Sequence, residues 1–76
     1  MSARNEHPPG TTRLLVNGEP REARAPTLAL LLEELGYGGQ KVATALNGEF
    51  VPERLRPGTA ISSGDEVEVV APRTGG

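Results

Sequence analysis

The residues with the most usable chemistry are the last four, Arg73-Thr74-Gly75-Gly76. Glycine has no side chain, so such an end can thread a narrow tunnel in a partner and present an unhindered terminal carboxylate. A carboxylate resists substitution at neutral pH because oxide is a poor leaving group. Adenylation with ATP would supply a good one, and a persulfide could then attack to leave a thiocarboxylate at Gly76. Those steps ask for no cysteine in the chain that undergoes them, and this chain has none. The competing reading of the same residues is a frayed terminus without a role.

No other cluster offers comparable chemistry. Asp65, Glu66 and Glu68 are the densest acids, but Glu66 and Glu68 alternate with valines, which places them on the outer face of a strand as solvated charges rather than a metal or catalytic pair. Ser62-Ser63 sits in a turn before a strand, whereas a serine bearing a phosphopantetheine arm is expected at a helix start. Lys41 is the sole lysine and opens a strand, whereas a biotin or lipoyl arm needs a hairpin tip. Arg54 and Arg56 read as loop charges with a lesser chance of docking a partner. No catalytic residue, metal ligand or bound cofactor is expected. With 76 residues, a net charge of −2 and seven of eight basic residues arginines spread along the chain, no basic stripe marks a nucleic-acid site. A domain this small buries only about 60% of its unfolded surface, which leaves little room for a deep active site. The single histidine, His7, falls in the polar N-terminal stretch. No apolar run reaches membrane-spanning length and no secretory h-region opens the chain, so the expectation is a soluble, cytoplasmic protein without membrane contacts.

The elements that would position the tail are legible in order. Residues 1–12 lack periodicity and are expected to form a disordered leader. Residues 13–72 form the domain, and 73–76 a flexible tail beyond Pro72. Arg13-Leu14-Leu15-Val16 is a short apolar strand, and Asn17-Gly18 is a strong two-residue hairpin signal because both turn positions need positive φ. The returning strand, 19–25, carries Pro20, which cannot donate to a ladder and marks an edge. Thr27 is placed to cap a helix whose Leu28, Leu31, Leu32 and Leu35 recur as one apolar stripe, with Glu33 and Glu34 outward and Gly36 as its stop. Lys41 to Leu46 reads as a strand with Val42, Thr44 and Leu46 on one face. Asn47-Gly48 turns it into Glu49-Phe50-Val51. A polar stretch with a Pro57-Gly58 turn follows, anchored by Ile61, and then the β-branched strand Glu66 to Val70. One sheet wrapped on one helix satisfies this order, an α+β arrangement in which each buries the other's apolar side.

Taken together, Val16-Asn17-Gly18-Glu19, the leucine helix after Thr27, Val42-Ala43 running to Leu46-Asn47-Gly48-Glu49-Phe50-Val51-Pro52, Gly64-Asp65-Glu66-Val67-Glu68-Val69-Val70 and the Gly75-Gly76 end resemble the ThiS family, the sulfur carriers of thiamine biosynthesis. The resemblance covers residues 13–76. It implies a ubiquitin-like β-grasp fold, a mixed sheet packed on one main helix, with the last strand central and parallel to the first. It implies that Gly76 is adenylated and thiocarboxylated, that Gly75, Thr74 and Arg73 thread into a partner, and that ATP is used by that partner. The implied partners are an adenylyltransferase related to ubiquitin-activating enzymes, thiazole synthase and a persulfide-bearing sulfur donor, with the free chain a monomer. Glu66 and Glu68, outward beside the tail, are the candidate docking residues. The chain departs from the pattern in its leader, in the lack of a large aromatic between Glu53 and Ser63, and at Thr74. Sulfur carriers for molybdopterin, cysteine or thionucleoside synthesis share fold and ending, and a protein modifier or a β-grasp binding module stays open.

Overall fold

The computed structural model describes residues 10–71. Residues 1–9 and 72–76, which include most of the expected leader and all of the expected tail, lie outside that part. The first strand, β1 (Thr12–Val16), pairs antiparallel with β2 (Glu19–Ala23). It starts at Thr12, one residue inside the stretch assigned to the leader. The two-residue turn between them has φ of 53° at Asn17 and 83° at Gly18, the double positive φ that the Asn-Gly pair predicts.

The helix α1 (Leu28–Glu34) is capped by Thr27, whose hydroxyl accepts from the Leu30 N–H at 3.3 Å. It ends where Gly36, at φ 93°, lets its own N–H reach the Glu33 carbonyl and the Tyr37 N–H reach the Leu32 carbonyl. Leu28 and Leu31 are fully buried, Leu32 is buried, and Leu35 is partly buried against the same core. Glu34 does not simply face outward. Its carboxylate accepts from the Arg24 and Ala25 N–H groups at 3.0–3.1 Å and ties the β2–α1 connection to the helix.

The chain then forms β3 (Ala43–Leu46) and β4 (Glu49–Val51), joined by the second Asn-Gly turn, a 3-10 helix η1 (Glu53–Gly58), and β5 (Glu66–Val70). The five-stranded sheet runs β2-β1-β5-β3-β4, with β5 central, parallel to β1 and antiparallel to β3. A mixed sheet closed over one helix is the ubiquitin-like β-grasp. Leu14, Val16, Val51, Val67 and Val69 line its inner face against Leu28, Leu31 and Leu32. β2, with Pro20, lies at one edge, as a strand containing proline must.

Arg56 is not a loop charge. Only 8% exposed, it donates from Nε to Thr44 Oγ1 at 3.0 Å and from Nη2 to the Val42 carbonyl at 2.7 Å. Thr44, 2% exposed, donates in turn to the Val51 carbonyl at 2.8 Å. The polar stretch after Pro52 is thus ordered as η1, and a guanidinium fork fastens it beneath β3 and β4. Hydrogen bonds from a charged donor contribute about 1.5–3 kcal/mol each. Arg56→Ala should therefore lower unfolding free energy by about 3 kcal/mol in a urea titration. Arg56→Lys should recover only part of that, since a single ammonium cannot reproduce the fork.

Candidate functional site

The strand that leads to the tail is held on both sides. On the β1 side, the Leu15 N–H donates to the Asp65 carbonyl at 3.0 Å and the Asn17 N–H to the Val67 carbonyl at 2.8 Å. On the β3 side, Ala43, Ala45 and Leu46 pair with Val70, Glu68 and Val67. Both turn asparagines also reach β5. Asn17 accepts at Oδ1 from the Val69 N–H, 2.8 Å, and donates from Nδ2 to the Val69 carbonyl, 3.2 Å. Asn47 accepts from the Glu66 N–H at 2.9 Å and donates to Asp65 Oδ1 at 3.0 Å.

Residues opposite one another in the ladder share a face, so the register defines the outer surface. Glu66 lies beside Leu15, Glu68 beside Ala45, Val70 beside Ala43, and Ala45 beside Phe50. Glu66 and Glu68 are exposed on this face, where the alternation with valines places them. Phe50, 68% exposed, and Val70, 62% exposed, stand on the same face, with small Ala43 and Ala45 between them. This apolar strip bordered by acids was not singled out from the sequence. Its signal was the inward Val51, which by strict alternation sends Phe50 outward. Arg73, Thr74, Gly75 and Gly76 lie outside the described residues; Ala71 is the last described before them.

A groove of about 400 Å³ between α1 and η1 is lined by Leu32, Glu33, Tyr37, Lys41, Glu53 and Arg56, mixing two cations with two carboxylates. Among the described residues no group of three or more His, Cys, Asp or Glu is placed to hold a metal ion. Nor is any described helix long and apolar enough to cross a membrane.

The sequence profile of the ThiS family matches residues 14–76, from the first core leucine of β1 through the final glycine. The chain belongs to the ThiS family. The crystal structure of the thiamine biosynthesis protein ThiS from Geobacter metallireducens superposes on this ThiS-family chain with a TM-score of 0.72 at 29% identity, covering 86% of this chain and 100% of that one. A protein named thiazole synthase, from Paramagnetospirillum magneticum, is 42% identical over 60 residues, 78% of this chain. The ThiS-family chain spans only 18% of that protein's length, so the likeness is to one segment of a longer polypeptide. Uncharacterized protein ycf40 of Porphyra purpurea is 36% identical over 62 residues, covering 80% of this chain and 87% of that one.

Proposed function

We propose that this ThiS-family chain is a sulfur carrier for thiazole formation in thiamine biosynthesis, and that the carboxylate of Gly76 is the group that carries the sulfur. The observation that bears most weight is that the family match runs through residue 76, so it includes the Gly75-Gly76 pair. In this reading the chain is a protein substrate of partner enzymes and holds no cofactor of its own. An adenylyltransferase related to ubiquitin-activating enzymes binds ATP; the Gly76 carboxylate attacks the α-phosphate and pyrophosphate leaves. The terminal sulfur of a persulfide on a donor protein then forms a bond to the carbonyl carbon, and AMP leaves. Reduction of the S–S bond by a thiol releases the thiocarboxylate. Thiazole synthase is the partner that takes the sulfur. Support for that partner comes from the segment of a thiazole synthase that resembles this chain over 60 residues.

The test is incubation with the cognate adenylyltransferase, ATP and a sulfur donor, read by intact mass. Exchange of one oxygen for sulfur at the C-terminus is the expected result. Failure of the wild type to gain sulfur would remove the carrier reading, and appearance of the chain as an isopeptide on lysines of other proteins would replace it with a modifier.

A tail alone gives little affinity once its ordering cost is met. The outer sheet face, with Glu66, Glu68, Phe50 and Val70, is the surface that supplies the rest. Phe50→Ala should weaken binding to the adenylyltransferase about tenfold, as loss of an exposed aromatic anchor does. It should leave the melting temperature nearly unchanged, because Phe50 is 68% exposed. Chemical-shift changes confined to the solvent side of α1, around Leu30 and Glu33, would contradict this placement.

A further inference from the structure

β1 and β5 do not run side by side for their whole length. Their register is Leu15 with Glu66 and Val16 with Val67, after which β1 turns away at Asn17-Gly18. Alternate residues of β5 direct their backbone groups toward β1, and Val69 is the next of these beyond Val67. Among the described residues no strand residue is left on that side to pair with it. The Asn17 amide fills the position: its Oδ1 accepts from the Val69 N–H and its Nδ2 donates to the Val69 carbonyl, part-buried bonds across 52 residues of sequence. A primary amide has the donor and acceptor of a peptide unit, so one side chain acts as a strand residue that β1 does not supply.

We propose that Asn17 is a positioning residue for the C-terminal segment. It holds both sides of β5 in the ladder as far as Val69, and so sets the point from which the chain departs toward Gly76. The inference rests on the carrier reading for its catalytic consequence. Without the amide, the Val69 N–H and carbonyl lose their partner, β5 beyond Val67 is held only by the β3 ladder, whose last pair is Ala43 with Val70, and Val69 and Val70 fray. The outer-face residue Val70 then loses its fixed place. Docking to the adenylyltransferase must re-order this stretch each time. The bound state regains its geometry, so the cost falls on KM for the carrier and leaves kcat near its original value.

The informative variant is Asn17→Gly, because glycine keeps the positive φ of the turn and removes only the side chain. Asn47→Gly is its match. It takes away an equivalent clasp on β5, but at Glu66, the end away from the tail. Asn17→Asp keeps the acceptor for the Val69 N–H and sets a carboxylate against the Val69 carbonyl, so it should fall between wild type and Asn17→Gly. In adenylation assays Asn17→Gly should raise KM for the carrier about tenfold, comparable to the cost of fixing one backbone residue, while Asn47→Gly changes it far less. Amide hydrogen exchange on the free proteins should show faster exchange at Val69 and Val70 in Asn17→Gly only. Equal KM effects in the two glycine variants would reduce Asn17 to general stability and overturn the inference. So would unchanged exchange at Val69. If wild type is not adenylated at all, the carrier reading fails together with the kinetic half of this inference, and the exchange measurement alone decides the anchoring.

Discussion

Deletion of Gly76 is expected to leave the fold unchanged and to lower acyl-adenylate and thiocarboxylate formation by two orders of magnitude or more. The physical reason is distance. Each extended residue contributes about 3.3–3.6 Å of reach, so the shortened carboxylate stops that far from the ATP α-phosphate. A misplacement of about 1 Å can cost on the order of 100-fold in rate, and in the proposed complex, with the domain docked through its sheet, compensating movement would be resisted. Nothing in the core is touched, since every buried residue of the hydrophobic cluster lies between Leu14 and Val69. Thermal unfolding should therefore coincide with wild type. Gly75→Val should act in the same direction, since in the proposed complex a branched side chain would block a tail threading a narrow tunnel. Gain of sulfur by the Gly76-deleted protein at the wild-type rate, measured by intact mass over time, would be fatal to the proposed role of that carboxylate.

Leu31→Ala carries the largest expected loss of stability. Leu31 is fully buried and sits on the helix face that the sheet covers, beside Leu28. A buried leucine truncated to alanine loses its transfer free energy and leaves a cavity, about 2–5 kcal/mol together. Total stability of a domain is about 5–15 kcal/mol, with small ones toward the lower end. The variant should unfold at markedly lower urea, or be unfolded outright at room temperature. Leu30→Ala, one position along and 48% exposed, is the internal comparison and should cost far less. Similar midpoints for the two variants would mean that the helix does not present this stripe to the sheet.

What the sequence disclosed follows from how local each signal is. The leucine stripe, the Thr27 cap, the Gly36 stop and the two Asn-Gly turns are each set within a few residues, and all stand where the pattern put them. Parallel pairing of β1 with β5 came from family likeness, because pairing across 51 residues leaves no periodic trace. The same holds for the polar contacts. Arg56 looked like a loop charge because its partners, Thr44 and Val42, are 12 and 14 residues away. Glu34 had the spacing of an outward helix position, yet its carboxylate satisfies backbone donors nine and ten residues earlier. Asn17 and Asn47 were fully accounted for as turn formers by their positive φ, so nothing local hinted that their side chains also grip β5. On the candidate surface, alternation places Glu66, Glu68 and Val70 on one face of β5 and sends Phe50 outward from β4, whereas their adjacency across Ala43 and Ala45 needs the register of β3.

Because β1 and β5 are parallel neighbours, the chain comes into the sheet at one end and departs at the other. A five-residue strand spans about 17 Å, so Thr12 and Val70 are separated by at least a strand length. The protein therefore has a polarity useful to an experimenter. A fluorophore, an affinity handle or a surface tether joined at Gly10 stands at the end of the sheet opposite Val70. The domain can be immobilised by that end while its other end is offered to a partner.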